Sequence, residues 1–121
     1  MAVKTSYREI IPYTTKDGSF IRELMHPDRT GTGSLSIAEA VVVPGQETFC
    51  HRHVCSEEIY HITSGEGMMT LAKEIITVRK GDTVFIPPGT SHKIRNTGAE
   101  VLRILCCCVP PYTHEDTEVV L

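Results

Sequence analysis

The sequence predicts an all-β barrel or sandwich with little helix, and three observations support that class. Clusters of Gly, Pro, Asp and Ser, which favour turns, recur roughly every 8–12 residues. The segments between them are rich in β-branched and aromatic residues. No segment sustains an apolar repeat of about 3.6 residues, so no long amphipathic helix is expected. The turn clusters lie at residues 16–19, 31–34, 44–45, 64–67, 80–82 and 87–89.

Each of the segments between these turns is predicted to be a short strand. The predicted strands span residues 20–25, 35–43, 58–63, 68–71, 75–78, 83–86, 92–95 and 101–109. Residues 56–61 are also compatible with a helical turn. The strand formers that run from Ile59 to Thr63 favour a strand there.

The chain has 121 residues, which is enough for a single domain with one modest core. We expect residues 1–19 to form an N-terminal arm or edge strand, 20–109 the barrel and 110–121 a C-terminal tail. The tail is polar and then apolar, so it is compatible with docking on the barrel or on a second subunit. A frayed terminus is the other outcome that the sequence leaves open.

Composition and charge argue against several classes of partner. The formal net charge is −3 and the basic residues are scattered, so the chain lacks the basic surface that nucleic acids require. No apolar run is long enough to span a bilayer, and no membrane partner is expected. The first residues do not have the pattern of a signal peptide, so a cytoplasmic location is expected.

The five cysteines do not form a recognisable disulfide framework. Their number is odd, and Cys106, Cys107 and Cys108 are consecutive in a predicted strand, where neighbouring side chains point to opposite faces. We therefore expect free, mostly buried thiols in a reducing compartment. A thiolate metal site is the alternative, but no C-x-x-C pair supports it.

Two histidines and a glutamate form the first candidate site. On an extended strand, residues two apart face the same side, so His51 and His53 present both imidazoles to one interior. Glu58 follows at the start of the next predicted strand. Two neutral imidazoles and one carboxylate are suitable ligands for a divalent transition metal ion.

A second segment supplies one more candidate ligand. The predicted strand 83–86 is followed by Pro87, Pro88 and Gly89, which favour a rigid, tight turn. His92 begins the next strand and can complete the ligand set. Asn96 is expected to bond the backbone of a neighbouring turn, which is a structural role.

Together the two segments resemble the paired motifs of the cupin superfamily, G-x5-H-x-H-x3,4-E-x6-G and G-x5-P-x-G-x2-H-x3-N. The resemblance implies a double-stranded β-helix, the jelly-roll barrel of cupins, with one metal ion held inside by three histidines and one glutamate. The matching residues are Gly45, His51, His53, Glu58 and Gly65 in the first motif and Gly81, Pro87, Gly89, His92 and Asn96 in the second.

Motif spacing and strand alternation indicate which residues near His53 are ligands and which way their side chains face. Only Glu58, and not Glu57, leaves six residues before Gly65, so Glu58 is predicted as the ligand. Tyr60 then faces inward as a proton donor or an orienting hydroxyl, or as an ordinary packed aromatic residue. His61 faces outward and is not expected to be a ligand.

Four protein ligands leave up to two open positions on a six-coordinate ion, which we expect to be Mn, Fe, Ni, Co or Zn. The resemblance implies a metal-dependent enzyme for a small oxygen-rich metabolite (a sugar, sugar phosphate or hydroxy acid), of isomerase or decarboxylase type. An Fe(II)-dependent dioxygenase and a non-catalytic small-molecule-binding barrel are the alternatives. A homodimer is expected, because a small barrel has edge strands that a partner can cover.

Overall fold

The structure, a computed structural model, describes residues 2–121. It is almost entirely β-structure, with one helical turn, α1 (Pro27–Thr30), and one 3-10 turn at Tyr7–Glu9. The strands are β1 (Tyr13–Thr14), β2 (Phe20–Met25), β3 (Ser36–Val42), β4 (His51–His53), β5 (Glu57–Ser64), β6 (Glu66–Leu71), β7 (Glu74–Arg79), β8 (Thr83–Ile86), β9 (His92–Asn96), β10 (Leu102–Val109) and β11 (Thr117–Val119).

These strands form two antiparallel sheets. One has the order β1-β2-β3-β10-β5-β8 and the other the order β11-β4-β9-β6-β7. Their inner faces enclose a single interior, as in a jelly-roll barrel. The prediction of an all-β jelly-roll with little helix is confirmed. Every strand predicted from the sequence is present, with ends that differ by two residues or fewer.

The interior is apolar at one end and polar at the other. Alternate residues of each strand face inward, and along β10 these change from Leu102 and Ile104 to Cys106 and Cys108. The register places Cys108 opposite both Ser36 and Glu58 at the polar end. The apolar end therefore forms the core, and the polar end leaves room for a site. Buried residues of the apolar end include Val42, Ile62, Met69, Ile94, Leu102 and Ile104.

Both chain ends add strands to the barrel. In the N-terminal arm, β1 pairs with β2. In the C-terminal tail, β11 pairs with β4, and Thr117 and Val119 lie opposite His53 and His51. The tail thus docks on the barrel of its own chain. Within residues 2–121, no helix is both long and apolar enough to cross a membrane.

Two motif glycines have backbone conformations that explain their identity. Gly65 has φ +83°, and a Cβ there would lie 2.8 Å from the carbonyl oxygen of Val101, so a larger residue would displace backbone. Gly89 has φ +74°, and its N–H donates to the carbonyl of His53 at 2.7 Å. That bond ties the turn before His92 to the strand that carries His53.

Candidate metal centre

Three buried histidines converge at the polar end of the interior. His51 and His53 lie two apart on β4, and His92 on β9 lies directly opposite His51. One ring nitrogen from each histidine lies within 4.8 Å of the other two. Side-chain alternation brings the first two rings to one face, and the β4–β9 register brings the third beside them.

Glu58 reaches the same point from the opposite sheet. Its Oε1 lies 3.1 Å from Nε2 of His53 and 3.5 Å from Nε2 of His92. Glu57, one residue earlier on β5, is exposed on the outer face. His61 is also outside the cluster, with Nδ1 2.8 Å from the hydroxyl of Thr83.

Backbone carbonyls fix the tautomers of two of the histidines. Nδ1 of His51 lies 2.9 Å from the carbonyl oxygen of Phe49, and Nδ1 of His92 lies 2.9 Å from that of Thr90. A carbonyl oxygen can only accept, so each Nδ1 carries the proton. In the neutral ring, Nε2 then has a free lone pair that is directed into the cluster.

The tautomer of His53 is fixed by a side chain of the C-terminal tail, that of Thr117. Nδ1 of His53 lies 3.1 Å from the hydroxyl oxygen of Thr117, and that hydroxyl donates its own proton to the carbonyl of Thr113 at 2.9 Å. The Thr117 oxygen is therefore left to accept the Nδ1 proton of His53. Metal-binding histidines typically have their second ring nitrogen held by a partner of this kind.

The donor set fits a cation. The free Nε2 lone pairs and the carboxylate of Glu58 are all acceptors, and they face one another inside the barrel. Among residues 2–121, neither Oε1 of Glu58 nor Nε2 of His92 has a hydrogen-bond partner, although both atoms are buried. Buried acceptors without a donor are costly, and a shared divalent ion satisfies all of them at once.

Glu58 and the histidines shift one another's pKa values. Burial raises the pKa of Glu58, but the closeness of His53 and His92 outweighs it and holds the pKa at about 2. Burial lowers the pKa of His53, yet Glu58 outweighs this and raises it overall. For His51, burial and the neighbouring His92 both lower the pKa, which favours the neutral ring.

A small cavity of about 40 Å³ adjoins these ligands. Ala38 and Ala40 of β3 line it with small side chains, and Tyr60 lines it with a side chain that is 5% exposed. The Tyr60 ring packs edge-on against His92, with centroids 5.8 Å apart. Burial raises the pKa of Tyr60 well above 10, so its hydroxyl stays protonated. The thiol of Cys108 donates a hydrogen bond to Glu58, with 3.3 Å between Sγ and Oε2.

A larger vestibule of about 720 Å³ lies outside this cavity and shares Tyr13, Glu23 and Tyr112 with it. Burial raises the pKa of Tyr13 to about 12 and also raises the pKa of Glu23. Acidic side chains outnumber the single arginine among the described residues that line the vestibule. The charged lining residues are Glu9, Glu23, Asp28, Arg29 and Glu115.

Several residues at the site were not identified from the sequence. Asp17, Tyr112 and Thr117 come from the arm and the tail and line the cavity. No spacing rule links them to the histidines. Cys106 and Cys108 also face the cavity, and their alternation along a predicted strand is the one sequence signal that placed them on a common face.

Comparison with known proteins agrees with this architecture. The cupin domain family model matches residues 38–108. The uncharacterized protein MJ1618 of Methanocaldococcus jannaschii is 56% identical over 117 residues, which cover 97% of this chain and 94% of that protein. Polyketide synthase CurC of Streptomyces cyaneus is 30% identical over 116 residues, which cover 92% and 75%.

A solved structure shows the same fold. The crystal structure of a predicted oxalate decarboxylase from Thermotoga maritima superposes with a TM-score of 0.77 at 25% sequence identity, over 89% of this chain and 99% of that one. The family match spans more than half of the 121 residues and includes all four of the converging side chains. The chain therefore belongs to the cupin domain family.

Proposed function

We propose that this cupin is a metal-dependent enzyme that acts on a small oxygen-rich metabolite, with an isomerase or decarboxylase type of reaction. His51, His53, Glu58 and His92 would hold one divalent transition metal ion. The observation that carries the proposal is the convergence of buried acceptors that lack any donor, including Oε1 of Glu58 and Nε2 of His92, within residues 2–121.

The protein's residues have separable roles in this proposal. When bound, a divalent ion at this position polarises an oxygen atom of the substrate. The three imidazoles fix the position of the ion, and Glu58 offsets part of its charge. Tyr60 lines the cavity beside His92 and would orient the substrate by donating its hydroxyl proton in a hydrogen bond.

The size of the cavity restricts what reaches the ligands. A volume of about 40 Å³ accepts one functional group, whereas pockets that enclose a whole drug-sized ligand are of roughly 300–1,000 Å³. The remainder of the substrate would lie in the vestibule. We infer that one carbonyl or hydroxyl end enters and that the rest of the molecule contacts Tyr13, Tyr112 and Glu23.

The charges of the vestibule disfavour a sugar phosphate relative to a neutral sugar or a singly charged hydroxy acid. Glu9, Asp28 and Glu115 line it with Arg29 as the single guanidinium among the described residues, and this lining would repel a phosphate group. The names of the relatives point to different chemistries, so they support the family and not one substrate. The five unpaired thiols support a reducing, cytoplasmic location.

Elemental analysis of natively expressed protein tests the proposal. We expect about one equivalent of a transition metal in the wild type, as for a single catalytic site, and its loss in His51→Ala. His61→Ala is the matched control, because it removes an imidazole from the outer face of the barrel. Wild-type protein that stays free of metal after exposure to Mn, Fe, Co, Ni and Zn salts would overturn the proposal.

Assays on the metal-loaded protein separate the reaction classes. Turnover of a neutral sugar or hydroxy acid without dioxygen supports the isomerase or decarboxylase. Activity that is lost under anaerobic conditions would instead identify an oxygenase, and saturable binding without conversion would identify a non-catalytic barrel. We expect Tyr60→Phe to lower kcat by about 10²–10⁴-fold if its hydroxyl acts in proton transfer and to leave metal content unchanged.

A further inference from the structure

Asp17 lies in a tight turn of the N-terminal arm, and one of its carboxylate oxygens is fully occupied by that turn. Oδ1 accepts from the Thr15 hydroxyl at 2.6 Å, from the Ser19 backbone N–H at 2.8 Å and from the Ser19 hydroxyl at 2.6 Å. These bonds fix the plane of the carboxylate. The second oxygen, Oδ2, takes no part in the turn.

The turn is anchored beside the strand that carries His51. The carbonyl of Asp17 accepts from the backbone N–H of Phe49 at 2.7 Å. Lys16 donates to the carbonyls of His114 and Thr117 at 2.6 and 3.1 Å, which ties the turn to the C-terminal tail. Because a backbone bond holds the turn on one side and the Lys16 side chain holds it on the other, the Asp17 side chain has a defined direction.

That direction is toward the cluster of histidines. Oδ2 of Asp17 lies 3.4 Å from Nε2 of His51, and the side chain is 12% exposed. Nε2 of His51 has a lone pair and no proton, because its Nδ1 donates to the Phe49 carbonyl. Two acceptors therefore face each other across this gap, as they do between Glu58 and the other histidines.

The separation is the one that two ligands of a common ion would have. Donors that bind one ion at about 2.1 Å, at angles between a right angle and the tetrahedral angle, lie roughly 3.0–3.4 Å apart. The distances from Glu58 to His53 and His92 are 3.1 and 3.5 Å. Asp17 stands in the same relation to His51. The donor atoms that all lie within 4.8 Å of one another are those of the three histidines, so the Asp17 carboxylate would approach the other two rings when it binds the same ion.

We propose that Asp17 is a fifth protein ligand of this ion, through Oδ2. The inference rests on the proposed function, since it concerns the same ion. It changes the chemistry that the site can support. Two carboxylates balance the charge of a divalent ion, and a six-coordinate ion keeps one open position. The substrate would then bind through a single oxygen atom and not through two.

Substitution by asparagine separates a ligand from a residue that only holds the turn. Asp17→Asn keeps an oxygen that can accept from Ser19 and replaces the second oxygen with an amide nitrogen. Asp17→Ser is a second variant, because a serine hydroxyl can still accept from a backbone N–H two residues on but is too short to reach the ion. Asp82→Asn is the control, since Asp82 accepts from Arg79 N–H in an exposed turn.

The measurements are the affinity for Co(II), by competition with a chelator, and the visible spectrum of the cobalt protein, which depends on coordination number and geometry. For both Asp17 variants we expect affinity to fall at least about tenfold, as for other groups that support metal binding, together with a changed spectrum. Asp82→Asn should match the wild type in both. Melting curves of the metal-free proteins show whether each variant folds.

The two proposals fail in different ways. Wild-type protein that binds no cobalt would overturn the proposed metal site and, with it, the role of Asp17. Wild-type protein that binds cobalt, with folded Asp17→Asn and Asp17→Ser variants of unchanged affinity and spectrum, would overturn only the role of Asp17. In that case the carboxylate serves the turn alone.

Discussion

The hydroxyl oxygen of Thr117 lies 3.1 Å from Nδ1 of His53 and accepts a hydrogen bond from it, although the two residues are far apart in the chain. The contact exists because β11 pairs with β4 and places Thr117 opposite His53. The C-terminal tail thereby sets which ring nitrogen of His53 is free. Metal affinity should therefore depend on Thr117, which is not itself one of the predicted metal ligands.

We expect Thr117→Val to weaken metal binding by about 10–100-fold, the range typical of the partners of metal-binding histidines. Valine has nearly the same shape but cannot accept the Nδ1 proton of His53, so the ring is no longer held in one tautomer and orientation. The measurement is the dissociation constant for Zn(II) or Co(II), determined by competition with a chelator.

Thr83→Val is the matched control for this prediction. Thr83 also places its hydroxyl next to Nδ1 of a histidine, at 2.8 Å, but that histidine is His61 on the outer face. The metal affinity of Thr83→Val should equal that of the wild type. Equal loss of affinity in both variants would show that the effect comes from general destabilisation and not from His53.

Asn96 should be among the polar residues most important for stability. It is 1% exposed, and its amide group donates to the carbonyls of Val42 and Glu100 and accepts from the N–H of Gly98, all within 2.9 Å. Asn96→Ala would remove all three of these bonds, one of which is fully buried. We expect the free energy of unfolding to fall by about 2–4 kcal/mol, from the unmade bonds.

Urea denaturation of the metal-free protein measures this change, so that metal affinity does not contribute. Asn96 binds the backbone of neighbouring turns, as its position in the second motif predicts. Thr97→Ala, one residue later, is a suitable control for general effects of substitution in this segment. A loss below about 0.5 kcal/mol, the range of an ordinary surface substitution, would contradict the assignment.

Glu23 should make stability depend on pH. Burial raises its pKa above the usual 4.5, and among residues 2–121 its Oε1 has no hydrogen-bond partner. Tyr13 donates weakly to Oε2 at 3.5 Å, and His26 and Asp28 are the charged neighbours, with opposite effects on the pKa. The folded state therefore favours the protonated carboxyl group.

For a raised pKa, the stabilising contribution is complete below the ordinary pKa and is lost as the pH rises through the folded value. Glu23→Gln cannot ionise, so its stability relative to the wild type should be greater at pH 8 than at pH 5. Chemical denaturation at a series of pH values measures the difference. Glu74→Gln, at an exposed position, should show no such trend; a pH-independent difference for Glu23→Gln would contradict this account.

The homodimer expected from the sequence has a defined candidate surface. Ile37, Cys107, Ile59 and Phe85 are aligned across neighbouring strands on the outer face of the six-stranded sheet. Ile59 is 43% and Phe85 is 52% exposed, and β8 is an edge strand. A second copy of the chain would cover both the apolar row and the edge.

Sedimentation analysis should give a dimer for the wild type and a monomer for Phe85→Glu, since a buried, unpaired carboxylate is costly. Ile75→Glu, on β7 of the other sheet, should remain dimeric. A wild-type protein that sediments as a monomer at high concentration would contradict the prediction.

Strand positions could be predicted because their signals are local. A period of two residues and a run of β-branched side chains are properties of a few consecutive positions, and turn residues mark where they end. The ends of β2 and β8 agree with the sequence prediction, whereas β1 and β11 are too short to produce such a pattern. The sequence predicts an arm or edge strand at residues 1–19, and it does not decide between docking and fraying for the tail.

The sequence by itself determined the fold class and the inward direction of His51, His53 and Glu58, because alternation along a strand and motif spacing encode both. The tertiary structure decided that Asp17 faces His51, that Thr117 holds His53, that the cavity has a volume of about 40 Å³ and that its vestibule is acidic. These properties depend on how the arm and the tail pair with strands distant in the chain, and no pattern of neighbouring residues specifies that register.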